Sequence, residues 1–279
     1  MIAIADPRLT FARQILGPVD IVSTSEMPPH LLVLADVRDS LHVVKRHTNL
    51  DRFHRETYAY ATWIPHLSDL APKMIAADPA TRSLLLSLLP GKSADRLPSG
   101  SLAERCAHRS AGAALRELHR ILPVESGGAV PAYLAGRVRW WAGRAYAADL
   151  ISKPEHRTLL TRADTLATLT MDGAICHLDY QPRNWLVGQD SVVRVLDFEH
   201  ARLDARVRDF ARLEHRHWRL DPRLREEFFT GYGRAPNEAE HDLLTRFGVI
   251  EALTALVRGH ERGDSRLAVH GRTLLNQLF

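Results

Sequence analysis

An α+β fold in two parts is what this sequence predicts, on three observations. Short β-branched and apolar runs crowd the chain ahead of Leu88, in the patterns of strands. From Ser101 onward apolar residues recur at helical spacing almost to the C-terminus. Between these regions, Lys92 to Gly100 is polar and carries Pro98 and Gly100, the composition of a connecting segment. The expected organisation is a small sheet-containing part with one main helix at 1–88, a hinge and linker at 89–100, and a mainly helical part at 101–279.

The elements follow in order. Pro7–Leu16 suits a short leading helix. Val19–Val22, His30–Leu34 and Leu41–Lys45 are strand signals, the last two joined by the turn Asp36–Ser40. Asn49 or Asp51 can cap a helix running to about Ile64, with Phe53, Thr57, Tyr60 and Ile64 on one face and Glu56 beside it. Lys73–Ala77 and Arg82–Ser87 form a hairpin pattern around Asp78-Pro79-Ala80, and the second strand runs into Leu88-Leu89-Pro90-Gly91. Ser101-Leu102-Ala103-Glu104 matches a capping box, and its helix carries Ala114, Leu115 and Leu118 and ends near Pro123. A further helix is expected at about Ala132–Leu150, where core packing is the stronger reading for Tyr133, Trp140 and Trp141. After Asp209 the pattern is helical at about 209–218, 222–232, 237–259 and 265–278.

The bulk properties exclude several classes. A chain of 279 residues, 45% hydrophobic, can bury a large core. Its formal charge of +4 is carried by arginines scattered through helical segments, so no nucleic-acid partner is expected. No apolar run approaches a membrane span, and Met1–Asp6 lacks the signature of a signal peptide. Two cysteines, Cys106 and Cys176, give no disulfide framework, which suits a reduced, cytoplasmic location.

The chemistry-bearing stretch is His177 to Glu199. It opens His177-Leu178-Asp179-Tyr180-Gln181-Pro182-Arg183-Asn184 and closes Leu196-Asp197-Phe198-Glu199. Phosphoryl transfer needs a positioned hydroxyl, magnesium on the nucleotide phosphates and fixed positive charge. Asp179 suits the orienting or deprotonation of a hydroxyl, and Asn184 and Asp197 are oxygen donors suited to magnesium. The β-branched run Val192–Leu196, after the turn Gly188-Gln189-Asp190-Ser191, makes a hairpin that returns Asp197 beside Asn184. Lys45, at the end of the third strand, can reach phosphates if a carboxylate holds it, and Glu56 is the candidate holder. Strand alternation turns Arg46 to the opposite face.

This set resembles the aminoglycoside phosphotransferase family, which shares fold and motifs with the protein kinases. The family's loop His-x-Asp-x-x-x-x-Asn is matched by His177, Asp179 and Asn184, its metal motif by Asp197-Phe198-Glu199, and its downstream carboxylates by Asp204 and Asp209. The resemblance implies a protein-kinase-like two-lobed fold, with a small antiparallel sheet and one main helix ahead of a mainly α-helical lobe. It implies a Lys45–Glu56 clamp on ATP, adenine held by the backbone of Ser87 and Leu89, and Mg2+ on Asn184 and Asp197. Two positions depart from the pattern. Leu178 stands where the family most often has glycine, and Ser23–Pro29 has none of the glycines usual over the phosphates, leaving Ser23, Thr24 or Ser25 to offer hydroxyls.

The expected activity is ATP-dependent transfer of a phosphate to a hydroxyl of a small molecule, an antibiotic or related natural product by family analogy. A kinase of a housekeeping amino alcohol or sugar, or a non-catalytic nucleotide-binding module, are the alternatives. Glu214, Glu226, Glu227, Glu238, Glu240, Asp242 and Glu251 are matched by a similar density of arginine, so the sequence does not mark a polycationic acceptor.

Overall fold

The computed structural model describes residues 6–22, 30–122, 124–126 and 129–279. The chain divides between two compact units, one formed by 1–99 with 182–202, the other by 100–181 with 203–279. Residues 182–202 thus pack with the sheet-containing unit, although they follow most of the helical one in sequence.

The first unit is built on five antiparallel strands. Helix α1 (Pro7–Leu16) starts where the Asp6 carboxylate accepts the Arg8 N–H at 2.9 Å. Its Phe11 and Ala12 bury against Val19, Leu34, Val44 and Leu85. Strands β1 (Val19–Ile21), β2 (Leu31–Asp36) and β3 (Leu41–Arg46) precede helix α2 (Leu50–Thr62), and β4 (Met74–Asp78) and β5 (Ser83–Ser87) follow it. The sheet order is β1-β2-β3-β5-β4, which makes β3 central, and Lys45 pairs with Leu31 on one side and Leu84 on the other. Asn49 caps α2 by accepting the Arg52 N–H at 3.0 Å, and Phe53, Glu56, Ala59 and Tyr60 are its buried face.

The polar connector has structure of its own. Lys92–Ser93 forms a short strand on Trp185–Val187, which in turn pairs with Val193–Val195. Gly91 enters that strand at φ 137, and a Cβ there would lie 2.8 Å from the Val187 carbonyl, so only glycine fits the approach.

The second unit is mainly helical: α3 (Leu102–Arg120), α4 (Ala129–Ala147), α5 (Lys153–Ala167), α6 (Arg208–Leu213), α7 (Pro222–Tyr232), α8 (Glu238–Arg262) and α9 (Ser265–Leu278). A wide π-helical turn at Glu214–Trp218 continues α6. A small sheet joins 124–126, Met171–Cys176 and Arg202–Ala205. Ser101 accepts the Glu104 N–H at 3.1 Å, and Glu104 reaches back to the Gly100 N–H at 2.7 Å, so the expected cap forms with its return bond one residue earlier. Helices α3 and α7 touch backbone to backbone, since a Cβ on Gly112 would collide with the Phe228 carbonyl. Around that contact Phe210, Trp218, Phe228, Phe229 and Tyr232 form an aromatic cluster with edge-to-face, tilted and stacked pairs, for example Phe210–Phe229 edge-to-face at 5.2 Å.

The α+β architecture expected from sequence is the one observed. Two details differ. The fourth helix lies three residues earlier than read, and of its aromatics only Trp141 is core, while Trp140 and Tyr133 are 53% and 47% exposed. Helix α5 is an addition to the sequence reading. Its signal was present in Ser152-Lys153-Pro154-Glu155, a capping box with proline in the first turn, both arms of which form.

Candidate active site

The first unit gathers Lys45, Glu56, Asn184 and Asp197. Lys45, buried on the central strand, places Nζ 2.7 Å from Glu56 Oε2 and 2.6 Å from Asp197 Oδ1. Arg46 is exposed on the opposite face, as strand alternation requires. Burial alone would lower the Lys45 ammonium, but the Glu56 and Asp197 charges outweigh it and hold the group above its ordinary range. Glu56 does more than hold the lysine. Its Oε1 accepts the Phe198 N–H at 3.1 Å, which ties α2 to the Asp197-Phe198-Glu199 stretch, and the Phe198 ring packs edge-on to Tyr60 at 5.8 Å.

The hairpin forms with the expected consequence. Val195 pairs with Trp185, and the Leu196 N–H donates to the Asn184 carbonyl at 2.9 Å, so the residue before Asp197 is bonded to Asn184. Asn184 and Asp197 together offer an amide and a carboxylate oxygen, hard donors that fit magnesium better than a soft or redox-active metal. Asp197 holds φ 67, a left-handed conformation that a non-glycine residue adopts at some cost.

The sequence reading missed two partners here. His47 bonds Glu56 Oε2 through Nε2 at 2.6 Å and lies 3.5 Å from Glu199 through Nδ1. Arg52 holds the same Glu199 at 2.8 Å. His47 was legible in principle, because it follows Lys45 by two positions and so shares its face. At the end of β5, Ser87 and Leu88 spend their N–H groups on Lys73 and Leu41 carbonyls at 2.9 and 3.0 Å, and Leu89 follows beyond that last sheet bond. The segment Ser23–Pro29, expected over the phosphates, lies outside the described residues.

The second unit holds Asp179 on a loop that leaves the strand Met171–Cys176. The anchor of this loop is Asp209 on α6. Its carboxylate accepts the N–H groups of His177 at 2.7 Å and Leu178 at 2.5 Å, and receives His119 Nε2 at 3.1 Å. Leu178 sits at φ 64, which explains the glycine preference at this position: the loop needs a left-handed residue there. His177 accepts the Asp179 N–H through Nδ1 at 3.2 Å, and Tyr180 ties the loop to α3 by donating to the Ala111 carbonyl at 2.6 Å. Asp179 itself is ion-paired with Arg212, and its Oδ1 accepts Gln181 Nε2 at 2.8 Å. Arg212, three residues beyond Asp209 on α6, lies 3.8 Å from the buried Glu251, which also pairs with Arg216. Burial pulls the Arg212 guanidinium down; Glu251 opposes that, and Arg216 adds to it. Nothing local in the sequence marked Arg212 as the partner of Asp179.

His119, Cys176 and Asp209 offer ligand atoms within 4.8 Å of one another. They form a hydrogen-bonded hub instead of a metal centre. His119 is committed to Asp209 and Tyr232, Asp209 to the loop amides, and the Cys176 thiol to the carbonyls of Asp204 and Ala205.

A buried lysine fixed by carboxylates from a helix and a strand-end motif, on an antiparallel sheet, defines a class: the protein-kinase-like phosphotransferases. The sequence matches the family model of the phosphotransferase enzyme family over residues 33–244, and the chain belongs to that family; it is an enzyme of the small-molecule kinase class. The resemblance drawn from the loop motif and this match name the same family. The fold is that of the gentamicin complex of APH(2'')-IIa, with a TM-score of 0.66 at 14% identity over 99% of this chain and 97% of that one. It is also similar to macrolide 2'-phosphotransferase MphH from Brachybacterium faecium, with 0.65 at 19% identity over 97% of each chain. ADP-bound APH(2'')-Ib gives 0.65 at 14% identity over 98% and 97%. No curated protein matches the sequence.

Proposed function

We propose that this protein transfers the γ-phosphoryl group of ATP to a hydroxyl of a small molecule, an antibiotic or related natural product. The observation that carries the reading is Lys45, a buried cation held at 2.7 and 2.6 Å by Glu56 and Asp197. Lys45 binds the nucleotide phosphates, and Glu56 keeps its ammonium aimed and charged. Asn184 and Asp197 hold magnesium, which supplies charge neutralisation on the phosphates. The Ser87 carbonyl and the Leu89 N–H hold the adenine edge, in keeping with the Ser87 N–H being used by Lys73. Asp179 orients the acceptor hydroxyl and takes its proton, and Arg212 with Gln181 fixes the carboxylate for that task. The cations Arg212 and Arg216 beside Asp179 and Glu251 leave no net acidic wall in this part of the unit, which favours an acceptor that is not a polycation. Use of ATP suits a cytoplasmic enzyme, and among the described residues no helix is long and apolar enough to cross a membrane.

The test is acceptor-dependent ADP release from magnesium-ATP across macrolides, aminoglycosides, amino alcohols and sugars, with the phosphorylated product weighed by mass spectrometry. Asp197→Ala should reduce turnover to background and weaken magnesium-nucleotide binding. Wild-type turnover by that variant, or no acceptor-dependent release with any compound, refutes the proposal.

A further inference from the structure

We infer that the helical unit carries a second binding site, for a phosphate or a small phosphomonoester anion, at the far end of the hydrogen-bond chain that holds the Asp179 loop. A cavity of about 210 Å3 is lined there by Arg116, Arg120, Arg206, Arg234, His119 and Tyr232. No acid is among the described residues lining it. Guanidinium groups match phosphate oxygens in paired, planar geometry. Their existing partners leave an excess of positive charge. Arg234 is bidentate to Glu240 at 2.6 and 2.7 Å, and so is committed. Arg116 and Arg120 share the single carboxylate of Glu117, at 3.1 and 3.4 Å. Arg206 has a buried Nε without a hydrogen-bond partner, an arrangement that an incoming anion would satisfy.

The floor of the cavity leads to the catalytic loop through bonds of one polarity. Arg206 and the Tyr232 ring line this cavity together. Burial holds the His119 imidazole below its ordinary range, against the pull of Asp209, so the ring is neutral. It therefore donates from Nε2 to Asp209 at 3.1 Å and accepts at Nδ1 from Tyr232 at 2.8 Å. Asp209 then accepts the His177 and Leu178 N–H groups at 2.7 and 2.5 Å. An anion that engages Arg206 in this cavity therefore lies beside Tyr232, the residue that bonds His119 Nδ1. The site is thereby coupled to the backbone that carries Asp179.

The experiment is a calorimetric titration of the full chain with inorganic phosphate and with glycerol phosphate, against chloride at matched ionic strength. Saturable binding in the millimolar range or tighter is expected, weakened at least about tenfold in Arg206→Gln and unchanged in Lys45→Gln. Tighter binding of the ester marks an organic ligand, and equal or weaker binding marks the inorganic anion. Hydrogen exchange gives a second readout: phosphate should change exchange at the His177 and Leu178 amides in the wild type, and not in Arg206→Gln. Arg120 is well exposed, so Arg120→Gln supplies a variant whose folding is safe, and it too should weaken binding. Absence of saturable binding overturns the inference. So does binding that survives both arginine variants, or that is lost in Lys45→Gln alone.

Discussion

Replacing Glu56 by glutamine tests the electrostatics of the first unit directly. Glu56 is wholly buried; it holds Lys45 at 2.7 Å and His47 at 2.6 Å through Oε2, and accepts the Phe198 N–H at 3.1 Å through Oε1. Glutamine keeps the shape and can still accept from Phe198, but its NH2 then faces the Lys45 ammonium, donor against donor. Removing one partner of a buried ion pair costs about 3–5 kcal/mol when the other is orphaned. Lys45 is not orphaned, because Asp197 remains 2.6 Å away. The loss is then nearer that of one charged hydrogen bond turned unfavourable, about 2–3 kcal/mol. A kilocalorie moves Tm by about 2–4 °C in a protein of this class, so Glu56→Gln should melt about 5–10 °C lower in scanning calorimetry. Lys45 is held above its ordinary pKa of 10.5, and such a group contributes stability that is fully present below that value and lost only as pH rises through the higher folded one. The deficit from the clamp should therefore be constant from about pH 6 to 9. A variant melting within about 1 °C of the wild type would refute the argument that the Glu56 charge organises this cluster.

Other expectations follow from the second unit. Asp179→Asn should keep nearly unchanged affinity for a non-hydrolysable ATP analogue by calorimetry while turnover falls about a hundredfold or more; lost affinity with little loss of rate would move Asp179 to the metal. Leu178 occupies a left-handed conformation, so Leu178→Val should be about 1 kcal/mol less stable than Leu178→Gly in urea titrations, and the reverse order would mean that the loop does not need this conformation. Burial holds His108, His119, His215 and His217 below their ordinary 6.5, His217 down to about 4. Each takes up its proton more readily when unfolded, so this stability is present above about pH 6.5 and lost on acidification; a Tm that stays flat or rises from about pH 7 to 5 would contradict it.

What the sequence made legible was local. Helix α1, the caps at Asn49 and Ser101, the hairpin between Asn184 and Asp197 and the last three helices each follow from a few neighbouring residues. Spacing also indicated the faces of Lys45 and Glu56, because a strand and a helix have fixed periods, while their pairing was what the family resemblance implied. The unforeseen parts are those that no local pattern encodes. Arg212 meets Asp179 only because α6 carries it back to the loop, and Asp209, seen in the motif, has its role set by amide groups more than thirty positions upstream. The division of the chain was hidden for the same reason: a hairpin joins whichever unit it pairs with, and Trp185–Val187 pairs with Lys92–Ser93.

In the reading proposed here, each catalytic carboxylate already has a cation from its own unit. Asp197 is bonded to Lys45 in one, and Asp179 to Arg212 in the other. Charges are tolerated away from water when paired, so each of these two carboxylates is electrostatically satisfied within its own unit. Substrates therefore exchange partners instead of filling empty positions. A nucleotide phosphate competes with Asp197 for Lys45, and an acceptor hydroxyl must be accommodated by a carboxylate that Arg212 and Gln181 already hold. Loosening Arg212 then has a definite consequence. Arg212→Lys keeps the charge but gives up the planar fork, so Asp179 should be less well oriented while nucleotide binding, which depends on Lys45, is untouched. The expected result is a fall in turnover with an unchanged nucleotide KM. A raised nucleotide KM with normal turnover would show that Arg212 serves the phosphates, and that Asp179 is held for catalysis by its backbone alone.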